Sequence, residues 1–160
     1  MLSIQILCVG KLKEQWWRDA CAEYAKRLAA FCRFRIDEVD EARVPERASA
    51  AQIDEALREE GRRLLDRIPG GSRAAALCIE GRELSSPALA TWMESAAVSG
   101  SSSLTFIIGG SWGLSPEVKQ RCSSRISMSP MTFPHQLARV MLCEQIYRAC
   151  QINAGGKYHK

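Results

Sequence analysis

The chain has 160 residues, with 22 Lys and Arg against 18 Asp and Glu, a net charge of +4, and 46% hydrophobic and 25% charged positions. These values are ordinary for a soluble globular protein, and the length suits one domain with a single sizeable core. The mild positive charge permits an RNA partner without establishing one. No apolar run approaches the ~20 residues needed to span a membrane.

The chain opens with an apolar stretch, Leu2 to Val9, which ends at Gly10 and lacks the basic region and small-residue cleavage site of a signal peptide. It reads as a first strand, and a cytoplasmic location is expected. A helix follows from about Gln15 to Phe31, with Trp16, Ala20, Tyr24 and Leu28 at helical spacing. Trp16 and Trp17 read as core or interface residues. Phe34 to Val39 forms a second strand, and the charged stretch Asp40–Ala48, which contains Pro45, is a loop. Ser49 is the expected N-cap of the next helix, placing Ile53, Ala56, Leu57, Leu64 and Leu65 on one face. A third strand spans Ala74–Ile79, followed by a turn at Glu80-Gly81, and Pro87 lies at the start of another helix. Leu104–Ile108 is a nearly continuous apolar run, as in a strand buried on both faces of a parallel sheet. Ser115 caps a helix with Pro116 at its first position. A short strand over Ile126–Met128 leads to a last helix from His135 to about Ile152 and a polar tail. Strands alternating with helices predict an α/β protein with a mostly parallel sheet.

Seven cysteines are an odd number, and no Cys-x-x-Cys occurs. Reduced, mostly buried thiols are expected instead of a disulfide framework. The only histidines, His135 and His159, lack ligand-like spacing to paired cysteines, so no metal is expected.

Three segments carry candidate chemistry. Gly109-Gly110-Ser111-Trp112-Gly113 stands at the carboxyl end of a parallel strand, where ligands bind in open α/β sheets and glycine lets a ligand approach the backbone. A plain tight turn is the alternative reading. The dinucleotide spacing Gly-x-Gly-x-x-Gly and the Walker A sequence are both absent. In the second segment, Met128 to Arg139, two prolines stiffen a loop whose free backbone groups can read an adenine edge. His135 and Arg139 share a helix face there, and the helix N-terminus disfavours an imidazolium at His135. Arg139 suits a phosphate or carboxylate, or a surface salt bridge to a carboxylate such as Glu144. Glu144 and Arg148 read as a structural pair. The third segment is the tail, with Lys157, Tyr158, His159 and Lys160. A frayed terminus is the default, and stacking on a base with a hold on phosphate is the alternative.

Taken together, the motifs resemble the ribosomal RNA large-subunit methyltransferase H family of the SPOUT superfamily. They include Val9-Gly10-Lys11-Leu12-Lys13, Ala22-Glu23-Tyr24, Leu77-Cys78-Ile79-Glu80-Gly81 and Phe106-Ile107-Ile108-Gly109-Gly110-Ser111. Met131-Thr132-Phe133-Pro134-His135-Gln136, Arg139-Val140, Glu144 to Ala149 and Tyr158-His159 complete the set, which covers essentially the whole chain. The resemblance implies a SPOUT-type α/β fold, with a mostly parallel sheet flanked by helices and a C-terminal deep trefoil knot. One domain would span residues 1–160, with a cofactor-binding knot over roughly 74–153 and a tail over 154–160. It further implies a homodimer that transfers a methyl group from S-adenosylmethionine to N3 of a pseudouridine in large-subunit (23S) rRNA. By position, Leu77, Gly109, Gly110, Met128, Ser129, Pro130, Met131, Thr132 and Phe133 correspond to the cofactor site. His135, Arg139, Tyr158 and His159 match residues expected near the target base. Cys78 and Trp112 depart from the pattern, and Pro130 stiffens the cofactor loop. The alternatives are a methyltransferase of the same class acting on another RNA base, a ribosome-binding assembly factor without a methyl donor, and a dinucleotide oxidoreductase.

Overall fold

The computed structural model describes residues 1–160. Five strands alternate with five helices: β1 (Ser3–Val9), α1 (Gln15–Leu28), β2 (Arg33–Val39), α2 (Ala50–Leu65), β3 (Arg73–Glu83), α3 (Ser86–Val98), β4 (Ser103–Ile108), α4 (Pro116–Arg121), β5 (Ser124–Ser127) and α5 (His135–Asn153). The strands form one all-parallel sheet in the order β2-β1-β4-β3-β5.

Both faces of this sheet are covered, which explains the long apolar runs in β1 and β4. Ile4, Ile6 and Cys8 of β1 and Leu104, Phe106 and Ile108 of β4 point into the larger core, against α1, α3 and α5. Leu7, Val9 and Ile107 point the other way, onto Leu64 of α2 and Val118 of α4. The side-chain period of two along a strand therefore feeds two cores at once. All seven cysteines are free thiols, and burial pushes that of Cys8 up to about 12.

The local signals that started the helices act as expected. Ser49 Oγ accepts from Gln52 N at 3.2 Å while Gln52 Oε1 accepts from Ser49 N at 2.8 Å, a reciprocal capping box. Ser85 and Ser115 cap α3 and α4 through a single bond each, Oγ accepting from Ala88 N and Val118 N, and each stands ahead of a proline in the first turn.

Five sequence expectations are corrected. α1 stops at Leu28, not Phe31, because the Leu28 carbonyl accepts from both Phe31 N and Cys32 N in a tight turn. Its inward stripe runs through Trp17, Cys21, Tyr24 and Leu28, so Ala20 is not on its axis and Trp16 is 64% exposed. β3 does not turn at Glu80-Gly81. Its register shifts after Leu77, and Arg82 and Glu83 resume pairing with Ile126 and Ser127 of β5. β5 itself is displaced to Ser124–Ser127, leaving Met128 in the following loop. The tail is not frayed at Tyr158, whose ring meets Tyr147 edge-on at 4.8 Å and whose hydroxyl donates to Glu144 at 3.2 Å.

Gly81 makes the β3 irregularity possible, since a Cβ there would lie 2.6 Å from the carbonyl carbon of Ile126. Gly81→Ala therefore forces strand backbones apart and should destabilise the fold by about 1–3 kcal/mol, as overpacking does. A thermal melt lowered by several degrees would show it.

Candidate functional site

The carboxyl ends of all five parallel strands share one edge, where loops are free to form a ligand site. At the end of β4 the chain turns back through Gly109–Gly113. Gly113 N donates to Gly110 O at 3.1 Å, and Gly113 has φ +82°, a conformation that favours glycine. A Cβ on Gly109 would lie 2.3 Å from the Gly113 carbonyl oxygen, so only glycine fits this turn. The loop between β5 and α5 is braced by its own serines. Ser127 Oγ donates to Ser129 O at 3.1 Å, and Ser129 Oγ accepts from Met131 N at 3.0 Å.

Between these two loops and β3 lies a cleft of about 410 Å³, within the range of small-molecule sites. Leu77, Gly109, Gly110, Met128, Ser129, Met131, Thr132 and Phe133 all line it, and Pro130 alone of the expected set does not. Ile79, Trp112 and Met131, three of the six exposed large hydrophobics of the chain, are also on its walls. The acidic and basic side chains Glu80 and Lys119 in its lining form an ion pair that holds the Glu80 carboxyl below its ordinary range. Burial, then the Glu80 charge, pushes the Cys78 thiol up, so this thiol in the cleft wall is a poor nucleophile.

A second cleft, of about 770 Å³, opens at the ends of β1 and β2 and has no hydrophobic residue in its lining. Gly10, Lys11, Lys13, Asp40, Glu41 and Arg43 are among the residues that form it. His135, at the first position of α5, is the one titratable side chain common to both clefts. The polar cleft was not legible as a site, because its residues come from separate segments with no shared motif. Lys11 and Lys13 were visible only as part of a resemblance.

Arg139 is placed differently from its expectation. It is 2% exposed and lines neither cleft. Its Nη1 donates to Glu38 Oε2 at 2.6 Å and its Nη2 to Gly10 O at 3.1 Å, so the anticipated surface pairing with Glu144 does not form. Glu144 instead accepts from Arg148 Nη2 at 2.5 Å and Nε at 3.0 Å, the structural pair expected. Tyr158 and His159 are not brought to the His135 end of α5. Tyr158 docks on Glu144 and Tyr147, and His159 Nδ1 lies 3.3 Å from Arg148 Nη1. Those contacts are 9–13 residues beyond His135, or about 13–20 Å along the helix at ~1.5 Å per residue. Burial and the Glu144 carboxylate raise the Tyr158 phenol above its usual value.

The sequence matches the family described as predicted SPOUT methyltransferases over residues 2–159. The chain belongs to the SPOUT methyltransferase family. Among similar SPOUT relatives, a protein of Ligilactobacillus salivarius named ribosomal RNA large subunit methyltransferase H is 48% identical over 159 residues, which cover 99% of this chain and 100% of that protein. Proteins of the same name from Oenococcus oeni and Exiguobacterium sibiricum are 48% and 46% identical, over 100% and 99% of this chain and the full length of each relative. The all-parallel sheet with helices on both faces agrees with the α/β fold expected of the SPOUT class. No helix is long and apolar enough to cross a membrane.

Because Arg139 is buried and charge-paired, Arg139→Ala strands Glu38 and frees the Gly10 carbonyl. Denaturant unfolding should show a loss of about 2–3 kcal/mol, toward the low side for buried pairs because Glu38 is 33% exposed. Arg139→Ala as stable as the parent would show that this pair does not hold the site together.

Proposed function

We propose that the chain methylates N3 of a pseudouridine in large-subunit ribosomal RNA, with S-adenosylmethionine as the donor. One observation carries the reading. The residues that the resemblance assigns to the cofactor come from three separate segments, and all but Pro130 meet in a single cleft at the carboxyl edge of the sheet. The residues present fit such a group. Gly109 and Gly110 leave the backbone bare at the cleft, the walls are apolar, and the free backbone groups of the loop over residues 128–133 are available to an adenine edge. Pro130 supports that loop by stiffening it from outside.

When bound, S-adenosylmethionine supplies an electrophilic methyl group on a sulfonium, which needs neither a metal nor a covalent nucleophile to react. The chain's own part is to hold N3 of the base in line and to let its proton leave. His135 stands where the apolar and polar clefts meet, and is the side chain placed to contact a base presented between them. Arg139 acts at one remove, by fixing Gly10 and the first turn of α5. We carry Tyr158 and His159 as base-contacting residues of a homodimer, because docking on α5 keeps them from the cleft of their own chain. The single domain over residues 1–160, with a cofactor-binding knot over 74–153 and a tail over 154–160, belongs to the same reading, as does a cytoplasmic location. The +4 charge is small for grasping a naked strand, which favours an assembled ribosomal particle as the substrate.

Purified protein should transfer radiolabelled methyl from S-adenosylmethionine to ribosomes lacking the modification, with label mapping to N3 of a large-subunit pseudouridine. Free rRNA should react more slowly than particles, and equal rates would remove the particle requirement. Gly109→Ala, which closes the turn onto Gly113 O, should weaken cofactor binding at least tenfold, or about 1.4 kcal/mol. Label on a different base would redirect the substrate assignment, and cofactor binding without any transfer would deny the activity.

A further inference from the structure

Only two buried side-chain polar atoms in the chain have no hydrogen-bond partner, Arg139 Nε and Glu60 Oε1. Arg139 is otherwise well paired. Glu60 is the greater anomaly. It sits within α2, is 5% exposed, forms no ion pair, and has only one partner, Ala42 N, which donates to its Oε2 at 3.0 Å. A buried carboxylate so poorly matched is expensive to keep unless it serves the site.

Its surroundings show what it could serve. The second oxygen, Oε1, faces the glycine turn after β4, 3.8 Å from where a Cβ of Gly110 would stand. The next residue, Gly61, presses on the other end of the same loop. A Cβ there would lie 2.4 Å from Oγ of Ser115, the cap of α4. Two consecutive residues of α2 thus back both ends of the loop from Gly109 to Ser115, and neither lines the cleft. The first oxygen of Glu60 meanwhile holds the loop after β2, where Glu41 and Arg43 flank Ala42 and line the polar cleft.

We propose that Glu60 is a positioning residue that sets the glycine turn of the cofactor cleft and ties it to the rim of the polar cleft, one carboxyl oxygen serving each loop. The proposal rests on the cofactor reading above. Glutamine cannot reproduce both roles, because one end of its amide is a donor: with the acceptor kept on Ala42 N, an NH₂ faces the turn. Burial, the largest cause, raises the Glu60 carboxyl above its usual range. Glu41 adds to this, Glu59 adds less, and the Ala42 amide and Arg63 oppose it. The unfolded chain therefore gives up this proton first as pH rises from about 4.5. From there the folded state loses stability until the raised value is passed. Glu60→Gln carries no such loss.

The test is to measure S-adenosylmethionine affinity by calorimetry, and thermal melts at pH 5 and pH 8, for the parent, Glu60→Gln and Glu60→Ala. We expect Glu60→Gln to melt no lower than the parent at pH 8, with a smaller drop between the two pH values, yet to bind the cofactor at least tenfold more weakly. Glu60→Ala should lose both stability and affinity. A merely structural carboxyl would lower the two together in both variants, which would overturn the proposal. So would a Glu60→Gln variant that binds as tightly as the parent. If the parent itself does not bind S-adenosylmethionine, the cofactor reading falls and this inference with it.

Discussion

The geometry of the site depends on one buried cation. Arg139 reaches from the second turn of α5 to the carbonyl of Gly10 and the carboxylate of Glu38, groups that lie 129 and 101 residues earlier in the chain. A guanidinium cannot be desolvated without such partners, so the helix can dock only where both are present. That requirement fixes the start of α5 over the ends of β1 and β2. His135, one turn earlier, is thereby held at the junction of the two clefts.

The edge of the sheet is divided chemically along the same line. The half built on β3, β4 and β5 is apolar and glycine-lined, and takes its shape from backbone with few side-chain polar groups. The half built on β1 and β2 is polar throughout, with cations and carboxylates interspersed. A methyl donor with an adenosine body suits the first half, while a nucleotide held by hydrogen bonds suits the second. Glu60 underlies both, which explains why α2, whose Glu59 and Arg63 line the polar cleft, also carries the least satisfied carboxylate of the fold.

Much of this was legible in the residues. Strand order aside, the alternation of elements, the serine caps at positions 49 and 115, and the glycine turn at 109–113 follow from local patterning that the tertiary structure does not override. The cofactor cleft was legible through its loops, because glycine and proline announce backbone shape directly. Side-chain partnerships were not. The Arg139–Glu38 pair spans the chain, so no local pattern singles out Glu38 over a nearby carboxylate such as Glu144. The β3 irregularity was hidden because Gly81 reads equally as a turn or as a close approach between strands, and only the position of Ile126 decides. Docking of Tyr158 on Tyr147 was missed because an aromatic in a terminal hexapeptide has no periodicity to declare its partner.

The strand order β2-β1-β4-β3-β5 also bears on how the molecule comes into being. The neighbour of β1 toward the sheet centre is β4, with Ser3 opposite Ser103, and β1 is flanked by α5 only once residues 142–149 exist. During synthesis the first hundred residues can pair only β1 with β2, so one of the first strand's two neighbours and part of each of its two cores wait for the rest of the chain. Such long-range closure makes folding slow and late. The apolar strands Leu2–Val9 and Ala74–Leu77 stay exposed until translation has nearly ended, and a nascent chain of this kind depends on protection until then.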